Sequence, residues 1–161
     1  MKKYEFTGET KIVAGVTLKR IRALISFGFV AKGEIGGFIE DEKNLSHDGN
    51  AWVTDNACVT GNARVTGNAC VTGNAWVTGN AWVTDNADYM LIGSIGSRND
   101  FTTFYKDIDG GISVKCGCFS GTIEEFREKV EETHGTNTKH AKVYQAAADL
   151  AEMQILNKDA E

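Results

Sequence analysis

A chain of 161 residues with a formal net charge of −5 has room for one domain or two small ones, and it carries no basic run with which to neutralise nucleic-acid phosphates. No apolar stretch is long enough to span a membrane, and the opening MKKYEFTGET has lysines but no apolar core of signal-peptide type. Four unevenly spaced cysteines then point to a reducing, cytoplasmic setting, and the absence of proline suits a chain whose ladders use most backbone N–H groups.

Residues 1–34 carry no repeat and are expected to form an N-terminal cap over the repeats, because an uncovered end of a stacked β array exposes pairing edges. Within them, 17–25 alternates apolar and basic residues and reads as a strand leading into the stack. From Ile35 to Trp52 an imperfect six-residue phrase begins, with Asn44-Leu45-Ser46 and Asn50-Ala51-Trp52 as worn copies.

From Val53 to Asp88 the phrase is clean and recurs six times: VTDNAC, VTGNAR, VTGNAC, VTGNAW, VTGNAW, VTDNAD. Ala and Val lie two apart, as Ala57 and Val59 do, so they share one face of a strand. The residue between them varies and is expected to face outward. Each Gly-Asn or Asp-Asn pair tolerates positive φ and turns the chain at a corner. Small residues inside and a corner every six residues predict a left-handed parallel β-helix over 35–88, of about three coils.

That pattern resembles the hexapeptide-repeat proteins, in which three hexads close a coil of roughly eighteen residues. The opening Gly36-Gly37-Phe38-Ile39-Glu40, with Asn44-Leu45-Ser46 and 49–53, also resembles a bacterial hexapeptide-repeat family of unassigned function; this implies a fold and no activity. Residues one coil apart would stack: Trp52, Cys70 and Asp88 in one column, Cys58 and Trp76 in a second, Arg64 and Trp82 in a third. Outward Trp52, Arg64, Trp76 and Trp82 are the expected contact surface, first for a homo-oligomer, a trimer with a dimer as runner-up. A partner protein and lateral packing under the C-terminal segment are the alternatives. Many hexapeptide-repeat proteins are acyltransferases with a histidine base, but only His47 lies in the repeat region, in a slot that Val fills later, and no inserted loop covers a pantetheine arm.

At Tyr89 the grammar changes. Strands are expected over 89–95, 101–106 and 112–119, with a hairpin turn at 107–111. Thr122-Ile123-Glu124-Glu125 is a capping box opening a helix with Ile123, Phe126 and Val130 on its apolar face; Gly135 ends it, and a second helix comes next over 138–156. Residues 89–161 therefore read as a small α+β module, β-β-β-α-α. Its wording, from Met90-Leu91-Ile92-Gly93 through Ser97-Arg98-Asn99-Asp100-Phe101 and Cys116-Gly117-Cys118 to Ala141, resembles a segment of small phage and prophage proteins, which implies an accessory role and no established chemistry.

The stretch 93–105 combines backbone donors, hydroxyls, a planar guanidinium and aromatic rings. That set suits an anionic ligand with a flat ring, such as a nucleotide, although Gly-Lys-Ser/Thr is missing and this is no P-loop. The candidate ligand residues are Ser94, Ser97, Arg98, Asn99, Thr102, Tyr105 and Lys115, with Phe101, Phe104 or Tyr105 to stack. The bland alternative is an ordinary turn in which Arg98 pairs with Asp100 or a helix glutamate. Cys116 and Cys118, read as sharing one strand face, with His134 and His140, do not have the spacing of a standard zinc finger, so no metal and no cofactor are expected. The expected function is non-enzymatic: a phage-type accessory protein, of counter-defence kind, that sequesters an anionic nucleotide-like ligand. An inhibitor or scaffold that binds a host protein, and an acyltransferase, stand as alternatives.

Overall fold

A computed structural model of the protein describes residues 1–156; the end of the expected module, 157–161, lies outside the described residues. The chain divides into two compact units, Met1–Asn86 and Ala87–Glu161.

The first unit opens with two strands, β1 (Tyr4–Val13) and β2 (Val16–Ala23), paired antiparallel with Val13 opposite Val16. The connecting Ala14 and Gly15 both have positive φ, 49° and 79°, as a two-residue hairpin turn requires. The far side of β2 pairs antiparallel with β3 (Ile35–Ile39). The hexads then contribute strands of two residues each: β4 (Trp52–Val53), β5 (Cys58–Val59), β6 (Arg64–Val65), β7 (Cys70–Val71), β8 (Trp76–Val77) and β9 (Trp82–Val83). Parallel pairs join β3 to β5 and β5 to β8, β4 to β7, and β6 to β9.

Hexads three apart in sequence thus lie side by side: Trp52 N–H donates to Ala69 O at 2.9 Å, and Cys58 N–H to Ala75 O at 2.9 Å. Ala57, Val59, Ala63 and Val65 are fully buried. Two glycines show why the phrase needs this residue at its corner. Gly67 has φ 63°, and a Cβ there would stand 2.5 Å from Thr84 O; at Gly49, with φ 71°, it would stand 2.7 Å from Gly67 O.

The expected left-handed parallel β-helix of about three coils is corrected by this arrangement. Among the described residues the chain is mainly β, with several sheets of mixed and antiparallel strands and two helices. The longest strands of the first unit are the antiparallel β1 and β2. The worn segment 35–52 yields one full strand, a 3-10 turn at Glu42–Asn44, a single bridge from Leu45 to Val65 and the first residue of β4, instead of three hexads. Six clean hexads taken three at a time leave only two two-residue strands in each direction.

Where no earlier hexad is present to donate, side chains do so. The buried Asn44 amide donates to Gly61 O at 3.1 Å and Ala63 O at 2.9 Å. The Lys3 ammonium does the same one corner away, donating to Ala51 O at 2.7 Å and Gly49 O at 3.5 Å, with its charge 4.7 Å from the Phe27 ring centroid. Lys3 is 1% exposed, and burial pushes its ammonium down to about 8.

The outward columns also need correction. Trp52 is 1% exposed, enclosed by Phe27 at 5.4 Å and Tyr4 at 6.4 Å between ring centroids; Cys58 and Asp88 are buried too. Trp76 is half-buried, its indole N–H donating to Thr60 Oγ1 at 3.1 Å. Trp82 stays outward at 46% exposure, opposite an exposed Arg64. N-terminal residues cover a column that the hexads alone leave open, which the repeat does not encode.

The second unit is an antiparallel meander of β10 (Tyr89–Ile95), β11 (Asp100–Lys106), β12 (Ile112–Cys116) and β13 (Phe119–Thr122), succeeded by α1 (Ile123–His134) and α2 (Lys139–Leu156). There are four strands, because Gly117 at φ 56° turns the chain and Cys116 pairs with Phe119 across it. Cys116 and Cys118 therefore share no strand face; Cys118 belongs to the turn. Both halves of the capping box are made, Glu125 N–H to Thr122 Oγ1 and Thr122 N–H to Glu125 Oε2. Phe104, Val114, Phe126, Tyr144, Ala148 and Ile155 build the core between sheet and helices.

Candidate functional site

The second unit holds a cavity of about 410 Å³. Its walls are the β10–β11 turn, the β12–β13 turn, α1 and Tyr144 of α2. Ile95, Phe119, Phe126 and Val130 give it an apolar floor, while Ser97, Arg98, Lys129 and His134 bring polar and cationic groups to it. Asp100 is the acidic lining residue.

Two glycines let the turns close in. Gly96 has φ 77°, and any Cβ there would collide with the Tyr144 hydroxyl. Gly117 would place a Cβ 2.9 Å from Arg98 Nη1, so the missing side chain is what allows the guanidinium to lie over the second turn. Arg98 is exposed, makes no ion pair among the described residues, and stands with Nη1 4.0 Å from Cys118 Sγ. The turn alternative, with Arg98 held by Asp100 or a helix glutamate, is not what the structure displays. Lys129 has a soft partner, Glu132 at 3.3 Å on the surface of α1.

Tyr144 stacks on His134 with ring centroids 5.8 Å apart. Burial, with the Cys116 thiol nearby, raises the pKa of its hydroxyl. Thr102 Oγ1–H donates to Cys116 Sγ, at 3.2 Å.

Of the ligand residues read from sequence, Ser97 and Arg98 reach the cavity. Ser94 Oγ–H instead donates to Asn99 O, and Asn99 takes positive φ, 48°, to close its turn. Thr102 is buried behind Cys116. Tyr105 is buried, and the Lys115 ammonium donates to Gly117 O at 2.8 Å. Phe104 lies in the core and Phe101 on the surface, so the aromatic groups at the cavity are Phe119, Phe126 and Tyr144. Sequence reasoning missed Lys129 and Tyr144. A signal for the first existed: Phe126, Val130 and His134 lie four apart on one face of α1, with Lys129 beside them.

Among the described residues no group of three His, Cys, Asp or Glu side chains could hold a metal ion; His134 and His140 approach each other at 5.6 Å between centroids. In the first unit, His47 Nδ1 accepts from Lys3 N–H at 3.1 Å and its ring stacks on Tyr4 at 4.3 Å. Burial holds its pKa below the usual histidine value. His47 thus packs the N-terminal strand in place. No described helix is long and apolar enough to cross a membrane. In comparisons with known proteins, no family model and no curated protein matches the chain, and the phage and counter-defence reading has no support there.

Proposed function

We propose that the second unit is a non-enzymatic binding module that takes a small anionic, ring-bearing ligand of nucleotide type in the cavity between its two turns and α1. The observation that carries this reading is Arg98: an exposed guanidinium with no ion pair among the described residues, placed at an apolar cavity of about 410 Å³. Pockets of roughly 300–1,000 Å³ with an apolar lining and a few convergent polar groups are the usual form of small-ligand sites. A guanidinium fork suits a carboxylate or phosphate, with charge-assisted bonds of about 1.5–3 kcal/mol each. Lys129 and His134 add cationic or donor groups, and Tyr144 and Phe119 an apolar surface for the ring.

Four free cysteines fit a reducing cytoplasm as the setting. In the first unit, exposed Trp82 beside Arg64 is the surface for a homo-oligomer, a trimer in this proposal. The ligand test is a melting-temperature screen against cyclic and linear nucleotides. A cognate ligand raises the melting temperature of the wild type and leaves that of Arg98→Ala unmoved; a screen without any shift removes the reading.

A further inference from the structure

Two cysteines line the cavity, and one of them is exposed beside a guanidinium. Cys116, at the end of β12, accepts a hydrogen bond from the Thr102 hydroxyl at 3.2 Å. Cys118 is exposed in the two-residue turn, with the Arg98 guanidinium 4.0 Å from its sulfur. The other two cysteines sit in the hexads, where Cys58 is buried and Cys70 half-buried, and burial raises both thiols above their usual pKa. Such thiols are inert relative to an exposed one beside a cation.

We propose that Cys118 is a modification site that exchanges with a small anionic disulfide, the cationic cavity wall binding the anionic arm while the sulfur attacks. This rests on the anion-binding reading of the cavity and names the covalent chemistry it would host. Glycine at 117 allows both parts: its left-handed φ exposes Cys118 at the turn, and its missing Cβ lets Arg98 approach.

The exchange balances without an external oxidant. The Cys118 thiol gives its proton to solvent, and its sulfur attacks one sulfur of the disulfide. The S–S bond breaks and a mixed disulfide forms at Cys118. The departing thiolate takes up a proton, so one disulfide is consumed and one is made. Arg98, with Nη1 4.0 Å from Cys118 Sγ, holds the carboxylate of the incoming molecule and so brings its S–S bond to that sulfur.

The probe is glutathione disulfide, an anionic tripeptide disulfide, added to the full-length protein and tracked by intact mass and peptide mapping. The neutral hydroxyethyl disulfide is the control. The inference expects one glutathionyl adduct, mapped to Cys118 and lost in Cys118→Ser. It expects the rate to fall at least ~10-fold in Arg98→Ala and ~10-fold when the neutral disulfide replaces the anionic one. An adduct spread over Cys70 and Cys118, a rate indifferent to Arg98 and to reagent charge, or no adduct overturns it. Cys118→Ser separates this outcome from the binding reading: a variant that loses the adduct yet keeps a nucleotide-induced melting shift leaves the binding reading standing, and an adduct without any nucleotide shift leaves the exchange standing alone.

Discussion

Replacing Lys3 by Met removes the one charge that, among the described residues, donates to the Gly49 and Ala51 carbonyls, and its effect on stability depends on pH in a direction the structure fixes. Two contributions oppose each other. The ammonium makes bonds at 2.7 and 3.5 Å, and leaving a buried carbonyl without its partner costs about 1–3 kcal/mol. Against this, burial lowers Lys3 from 10.5 to about 8, a difference worth ~3 kcal/mol between its two protonation states. The folded-state value lies below the unfolded one, so between about 8 and 10.5 the unfolded chain binds more protons and stability rises with pH. Below about 8 the full penalty of the buried charge is present.

Lys3→Met carries no such penalty at any pH. At pH 7 the lost carbonyl bonds outweigh the relieved charge by a small margin, and we expect a loss of ~1 kcal/mol. By about pH 10.5 the neutral amine of the wild type still donates to the carbonyls without the burial cost, and the gap widens by up to ~3 kcal/mol. The assay is urea unfolding of both proteins at pH 7, 8, 9 and 10.5. Taking the wild-type-minus-variant difference cancels the pH response of Tyr4, Cys58 and Cys70, which both proteins share. A gap that stays flat or narrows with pH refutes the account of Lys3 as a buried charge that closes the end of the hexads.

Gly96→Ala meets both a φ of 77° and the Tyr144 hydroxyl, so the second unit should lose at least ~2 kcal/mol in urea unfolding, whereas Gly110→Ala, at φ 86° with open space around it, should lose less. Arg127 bridges α1 to α2 through Asp149 at 2.8 Å and Glu152 at 3.1 Å; Arg127→Ala should cost ~1 kcal/mol at low salt and less at high salt, read by thermal unfolding. Trp82→Glu should lower the assembly state seen by light scattering, while a wild type that is already monomeric at micromolar concentration removes Trp82 as an oligomer contact.

The local grammar of the chain is legible where one residue type has one structural use. The glycine corners and the stop at Gly135 arise from backbone conformation, the capping box from Thr122 and Glu125 side chains three residues apart, and the Ala and Val interior from strand alternation, all of them local. Long-range covering is not legible. Nothing in the hexad predicts that Tyr4 and Phe27 enclose Trp52, or that an antiparallel hairpin joins the sheet through β3. The turn at Gly117 reads as strand because Ile112 to Phe119 alternates well enough to pass for one; its φ of 56° splits the segment. At the cavity, Ser97 and Arg98 are legible from composition. Lys129, Tyr144 and Phe119 come from elements far along the chain and meet Arg98 only through the packing of the helices on the meander.

The most direct test of the central claim is calorimetric titration of the wild type and Arg98→Ala with the nucleotide that gives the largest melting shift. The account predicts one site per chain in the wild type, with affinity at least ~10-fold weaker in Arg98→Ala, as loss of one charge-assisted bond of about 1.5–3 kcal/mol requires. Equal affinity in the two proteins, or no heat with any anionic ring-bearing ligand, contradicts it.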